Sequence, residues 1–268
     1  MSESERTFYD LLSFIEQELD FESGFYNEAY LDRRINARMR RTGHDDYRSY
    51  RRELESDTDE QEALLDSLSI NVTGFFRNPD AWESLRGVLA DLTAGRDRVR
   101  VWSAPCADGR EPYSVAMLAL DDDDIDASRL SVLGTDINAD ILRDARAGRY
   151  ETTKTTDIAE ELEPLSATDP YVDREGDEFT VREKVRDLVS FERHDLIRGA
   201  DKRDFDLVLC RNFLIYIDSD YKVPIFETIT GSLAESGYLM IGMTETLPTE
   251  FRDRYDPVAK KHRIYRRS

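Results

Sequence analysis

Apolar residues return every three or four positions along the first third of the chain. Phe8, Leu11, Leu12, Ile15 and Leu19 share one helical face, and Leu64, Leu65 and Leu68 share another, the spacing by which a helix turns one stripe toward a core. A small helical bundle from Thr7 to about Leu92 is predicted. Within it, YLDRRINARMRR (30–41) sets Leu31, Ile35 and Met39 on one face and Arg33, Arg34, Arg38, Arg40 and Arg41 largely on the others. The polar stretch Thr93-Ala94-Gly95-Arg96-Asp97 then breaks the pattern. Beyond it, short apolar runs at 99–106, 130–137, 188–194, 205–211 and 237–243 alternate with helical patterns near 111–120, 139–147 and 219–234. Such alternation predicts an α/β fold with a doubly wound, Rossmann-like sheet. The tail, 255–267, holds a second extended stretch suited to a last, antiparallel strand. Between the second and third strands, Tyr171-Val172-Asp173, the turn Arg174-Glu175-Gly176-Asp177, and Phe179-Thr180-Val181 predict a hairpin. The expected division is a helical domain over 1–93 and a sheet domain over 94–268, with a β-subdomain insertion near 165–187.

A length of 268 residues suits two such domains, each with a core of its own. No apolar run approaches the 18 or so residues of a membrane span, and Ser2 to Glu5 has no signal-peptide pattern, so a soluble cytoplasmic protein without direct membrane insertion is expected. Cys106 and Cys210 are too few for a disulfide framework and too far apart for a metal clip, and the three scattered histidines form no HExxH motif, so no metal is expected. A net charge of −20 argues against nucleic acid, whose phosphates are bound through Lys and Arg. Only six of the 37 basic residues are Lys (154, 184, 202, 222, 260 and 261). An acidic, Lys-poor surface is expected of a halophilic, high-salt cytoplasm, simple solubility by net charge being the alternative.

Doubly wound sheets bind ligands beyond the carboxyl ends of their strands, so the residues there carry the candidate chemistry. Val101-Trp102-Ser103-Ala104-Pro105-Cys106-Ala107-Asp108-Gly109-Arg110-Glu111-Pro112-Tyr113-Ser114 reads as a strand, a loop of small residues and a helix start. It is not GxGxxG, which leaves a pyrophosphate ligand little support. Gly134-Thr135-Asp136-Ile137-Asn138 puts an acid where dinucleotide folds hold a ribose, although Asp136 or Asn138 could equally cap the next helix. His194-Asp195-Leu196 and Cys210-Arg211-Asn212-Phe213-Leu214-Ile215-Tyr216 end the third and fourth strands. Outside the sheet, Asn71-Val72-Thr73-Gly74-Phe75-Phe76-Arg77 interrupts a helical pattern with polar groups, or serves only as packing between domains.

The order NxTxFFR, VWSA…GxEPYS, GTDI, a strand ending in Asp-Leu, CRNxxIY and GxxE (Gly242 to Glu245) resembles the CheR family, the chemotaxis receptor glutamate methyltransferases, over nearly the whole chain. The resemblance implies an S-adenosylmethionine site, with S-adenosylhomocysteine as product, formed by Asn71, Thr73 and Arg77 together with Glu111, Asp136, Asp195, Leu196, Arg211 and Asn212. Arg77 and Tyr216 match the family's positions nearest the transferred methyl and are the implied catalytic pair, with roles in positioning. The implied partners are the acidic cytoplasmic helices of methyl-accepting chemotaxis receptors, docked on Arg33, Arg34, Arg38 and Arg41, with recruitment of a monomer to receptor arrays. The hairpin insertion resembles the family's receptor-tethering subdomain. Two positions depart from the pattern: Arg110 stands where the family has an acid, and Asp195 where it commonly has Asn. They leave open the alternative of a cofactor-binding regulatory protein without turnover.

Overall fold

The computed structural model describes residues 2–19, 21–68 and 73–268, so Asn71 lies outside the described residues. The chain forms two compact units, Met1–Asn71 with Tyr216–Lys222, and Val72–Ile215 with Val223–Ser268.

In the first unit, α1 (Glu3–Glu18) starts on a capping box. The Ser2 hydroxyl accepts from the Glu5 N–H at 3.1 Å, and the Glu5 carboxylate accepts from the Ser2 N–H. The basic helix α2 (Glu28–Thr42) starts on Asn27, whose side chain accepts from the Ala29 N–H, and ends on Gly43 at φ 81°, a left-handed cap that glycine adopts without strain. With α3 (Tyr47–Leu54) and α4 (Thr58–Leu68) these helices bury Leu11, Ile15, Leu31, Ile35, Tyr50, Leu54, Leu64 and Leu68. The segment 216–222 returns to this unit: the Asn27 N–H donates to the Tyr216 carbonyl at 2.8 Å, and the Asp218 N–H to that of Phe25 at 2.9 Å.

In the second unit, α5 (Pro79–Gly95) precedes β1 (Val99–Ser103), and α6 (Arg110–Asp121) connects β1 to β2 (Leu130–Asp136). After α7 (Ala139–Ala147) comes an insertion comprising β3 (Arg149–Glu151), α8 (Ile158–Glu161), β4 (Val172–Glu175), β5 (Glu178–Val181) and α9 (Glu183–Arg186). The chain then runs through β6 (Val189–Arg193), β7 (Phe205–Cys210), α10 (Ser219–Ser232), β8 (Leu233–Ile241), β9 (Tyr255–Ala259) and β10 (Ile264–Arg267). The seven-stranded sheet has the order β6-β2-β1-β7-β8-β10-β9; β6 to β8 are parallel, and β10 is antiparallel to both its neighbours. The order turns between β1 and β7, each a buried strand, so the crevice of a doubly wound sheet opens at their carboxyl ends.

Two expectations change. Helix α5 continues the helical periodicity of the bundle, yet Trp82, Leu85, Leu89 and Leu92 enter the core of the sheet unit. Periodicity identifies an apolar face but not what covers it, so the break drawn after residue 93 does not coincide with the boundary between the units. The hairpin gains a third strand, since β3 pairs antiparallel with β5. A run of three residues with one apolar side chain between two charges is too short to show a period.

Candidate functional site

The loop after β1 is held at the switch point by its backbone: the Ala104 N–H donates to the Leu209 carbonyl at 2.9 Å, and the Cys106 N–H to that of Thr135 at 2.8 Å. It enters α6 through Gly109 at φ 87°, where a side chain would collide with Phe191 and Ala145 at about 2.8–2.9 Å. Four non-glycine residues in the surrounding loops, Phe76, Asn78, Ala107 and Asn212, also hold positive φ (46°, 62°, 48° and 57°), a conformation that costs energy and gathers at ligand sites. Cys106 and Cys210 are buried and free, and burial pushes both thiols well above their usual range, leaving them protonated.

Asp136 ends β2. Its Oδ2 accepts from the Ala107 N–H at 3.0 Å and its Oδ1 from the Asn138 N–H at 3.0 Å. Asn138 itself caps α7, accepting from Asp140 at 2.9 Å and Ile141 at 3.3 Å, so Asp136 is not needed as a cap. Burial pushes this carboxyl above the ordinary Asp range, against the lowering effect of the Asn138, Ala107 and Ile137 N–H groups.

Glu111 and Arg211 form the buried centre of the site. Glu111 Oε1 accepts from the Ser103 hydroxyl at 2.8 Å, and Oε2 faces Arg211 Nη1 at 3.2 Å. Arg211 Nη2 donates to the Arg77 carbonyl at 2.7 Å and to Asn78 Oδ1 at 3.3 Å, and its guanidinium lies over the Trp82 ring. The indole N–H of Trp82 donates to the same Arg77 carbonyl at 3.0 Å. One side chain, 1% exposed, thus ties α6, β7 and the loop before α5 together. Next to it, Glu245 accepts from the backbone N–H groups of Asn212 (3.1 Å), Leu214 (2.8 Å) and Gly242 (2.5 Å), fixing the turn after β7. Burial raises its carboxyl pKa, which those donors oppose.

Both departures from the family pattern have structural partners. Arg110 pairs with Asp108 at 2.9 Å and Glu161 at 3.1 Å. Asp195 Oδ1 accepts from the Ile197 and Arg198 N–H groups at 2.8 and 3.1 Å, closing a turn beside the buried Leu196. Arg77, Glu111, Asp136, Arg211 and Asn212 therefore lie in connected loops around the switch point, with Asp195 and Leu196 after the adjacent β6. Thr73 is half-buried at the start of the segment leading to Arg77.

In the helical unit, the Tyr216 ring lies 4.8 Å from that of Tyr30, and the guanidinium groups of Arg33 and Arg34 lie 5.9 and 5.5 Å from the same Tyr30 ring. Arg33 and Arg41 are exposed. Arg38 is not available for docking: its guanidinium grips Glu60 through Nε and Nη2, and Tyr50 donates to the same carboxylate at 2.5 Å. A helical wheel shows which face Arg38 occupies but not that an acid from α4 meets it there. Glu161 and Asn78 escape the sequence reading, and Ser103, Ser114 and Glu245 appear there only inside motifs. Asn78-Pro79 carries a helix-start signal that could have been read; Glu161 carries none.

Buried carboxylates beside small-residue loops suit a ligand bearing hydroxyls and an ammonium group. Among the described residues, no group of three or more His, Cys, Asp or Glu side chains is placed to hold a metal ion, and no helix is long and apolar enough to cross a membrane. Residues 71–264 match the family described as "CheR methyltransferase, SAM binding domain", and residues 6–69 match "CheR methyltransferase, all-alpha domain". A "Chemotaxis protein methyltransferase" of Listeria monocytogenes is 30% identical over 235 residues, covering 87% of each chain. "Chemotaxis protein methyltransferase 1" of Pseudomonas aeruginosa is 33% identical over 196 residues, covering 70% of each.

Proposed function

Because the chain belongs to the CheR methyltransferase family and uses S-adenosylmethionine as its cofactor, we propose that it methylates glutamate side chains of chemotaxis receptors, forming methyl esters in sensory adaptation. The observation that supports this reading is the linked set of Glu111, Asp136 and Arg211 at the switch point, within a chain that matches the family in both its parts. Asp136, at the carboxyl end of β2, is the acceptor for the ribose hydroxyls. Glu111 is the acceptor for the ammonium group of the amino-acid end, and Thr73, Asp195, Leu196, Asn212 and the loop ending at Arg77 complete the cofactor set.

When bound, the cofactor supplies a methyl group on a cationic sulfur. Transfer would exchange the S–CH3 bond for an O–CH3 bond, the pair on sulfur going to S-adenosylhomocysteine and the opposite charges cancelling without a proton moving, so the residues of the chain would need only to hold and orient the two groups. A substrate glutamate is ionised near neutral pH, so no side chain need act as a base. Arg77 and Tyr216 position the attacking carboxylate; alignment of this kind contributes about 7–11 kcal/mol in well-oriented reactions. Arg33, Arg34 and Arg41 face the acidic receptor helix, and the acidic, Lys-poor surface suits a high-salt cytoplasm.

The test is transfer of labelled methyl from S-adenosylmethionine to purified receptor signalling domains in multimolar KCl. Base-labile label on the receptor, lost in Arg77→Ala, is expected. Calorimetric cofactor binding without any label would favour a regulatory protein that binds the cofactor and does not transfer the methyl.

A further inference from the structure

The insertion between α7 and β6 touches the cofactor loops at two points. From β3, the Tyr150 hydroxyl donates to the Asp108 carbonyl at 2.7 Å, and its ring meets Phe75 edge to face at 4.9 Å. From α8, the Glu161 carboxylate takes Arg110 Nη1 through both oxygens, at 3.2 and 3.1 Å, and its Oε2 also accepts from the Phe75 N–H at 2.8 Å. The neighbouring Phe76 N–H donates to the Ser114 hydroxyl at 3.0 Å. The two N–H groups just before Arg77 are thus held by side chains, one from α6 and one from the insertion.

Gly74 fits the same arrangement. A Cβ there would lie 2.8 Å from Glu161 Oε1 and 3.2 Å from its Cδ. A flexible carboxylate could ordinarily swing aside, but this one is fixed by Arg110, which Asp108 holds in turn. Glycine at 74 is what lets the carboxylate close on the Phe75 N–H.

We propose that Glu161 is a positioning residue for the cofactor site, so that the insertion carrying the three-stranded subdomain is part of the machinery of methyl transfer. Both oxygens of Glu161 are already engaged, by Arg110 and by the Phe75 N–H. It acts through the Phe75 N–H on the segment that runs into Arg77, and through Arg110 on the start of α6 beside Glu111. Arg110, the departure that could indicate lost function, is the other half of this clamp. The inference rests on the reading of Thr73 and Arg77 as residues that face cofactor and substrate.

The test compares full-length wild type with Glu161→Ala, Glu161→Gln, Gly74→Ala and, as a control, Arg96→Met. Arg96 pairs with Asp206 at the opposite, amino ends of the strands, so its loss lowers stability without touching the cofactor loops. The readouts are the calorimetric Kd for S-adenosylhomocysteine and the melting temperature. Glu161→Ala is expected to weaken binding about tenfold, the scale of one buried hydrogen bond to a charged acceptor. Glu161→Gln, whose amide oxygen can still accept from Phe75, loses less, and Gly74→Ala weakens binding like Glu161→Ala. Arg96→Met lowers the melting temperature and leaves the Kd unchanged. Unchanged affinity in Glu161→Ala, or in Gly74→Ala should the first variant not fold, overturns the proposal, as does equal weakening in Arg96→Met. Because the readout is cofactor binding, the result is independent of whether receptor glutamates are the substrate.

Discussion

Arginines in the two units are used in opposite ways. At the switch point of the sheet, Arg211 and Arg110 are enclosed, and each meets a carboxylate already held by other donors. On α2, Arg33 and Arg41 stand exposed to water. Enclosed charges fix loop geometry and are costly to unpair, whereas exposed charges add little to stability and remain free to meet a partner. Arg38 shows that the division follows burial rather than position in the chain: it lies on the basic helix but behaves like the sheet arginines.

The sharpest way to break this comparison is Arg211→Met. Removing the guanidinium leaves Glu111 enclosed without its partner and frees the Arg77 carbonyl from one of its two donors. A loss of about 3–5 kcal/mol, the cost of breaking a buried pair, is expected in urea unfolding, together with loss of measurable cofactor binding. A loss below about 1 kcal/mol would place Arg211 with the surface arginines.

A smaller effect is expected at Asp136. Asp136→Asn keeps the shape but removes the charge proposed to receive the ribose hydroxyls, and affinity for S-adenosylhomocysteine should fall about 10- to 100-fold at neutral pH, matching about 1.5–3 kcal/mol for a charged hydrogen bond. The pH dependence follows from the direction of the shift. Burial raises this carboxyl pKa, so a proton competes with the ribose at a higher pH than it would at an ordinary Asp. Wild-type affinity should be level near neutrality and decline as the pH falls into the window above the ordinary range. Asp136→Asn should lack that part of the decline. The apoprotein has the opposite sign: the folded state holds this proton more tightly than the unfolded chain, so the Asp136 contribution to stability falls as pH rises through the same window. Parallel affinity profiles for the two proteins would remove Asp136 from the ribose.

Much of the sheet is legible in the sequence because its strands are short apolar runs bounded by turns. Helix α7 falls at 139–147 as its periodicity indicates, and β7 is buried along its whole length. The residues that follow the strands could be named because a doubly wound sheet directs strand ends into one crevice. What could not be read is pairing across long separations. Arg38 with Glu60, Arg110 with Glu161 and Glu245 with the Asn212 turn each join segments whose sequences carry no mark of each other. The same blindness applies to α5, whose apolar stripe has a period but no address.

The smallest effect, and the one that best sharpens the comparison, belongs to the exposed pair. Arg33→Glu with Arg41→Glu should leave the melting temperature and cofactor affinity unchanged and raise the apparent KM for an acidic receptor helix about tenfold at low salt. Arg38→Glu should do the reverse in stability: it sets a second acid against Glu60 and Tyr50 and lowers the melting temperature whatever the substrate. Salt then separates two kinds of docking. In molar KCl the screening length shrinks to about 3 Å, so long-range steering by Arg33 and Arg41 disappears while direct, hydrogen-bonded pairing persists. If the KM difference vanishes by 1 M KCl, the two arginines only guide encounter, and recognition at high salt rests on other contacts. If it survives, the arginines touch the receptor carboxylates themselves. If the double reversal has no effect on KM at any salt concentration, the basic helix is a solvated face and docking lies elsewhere.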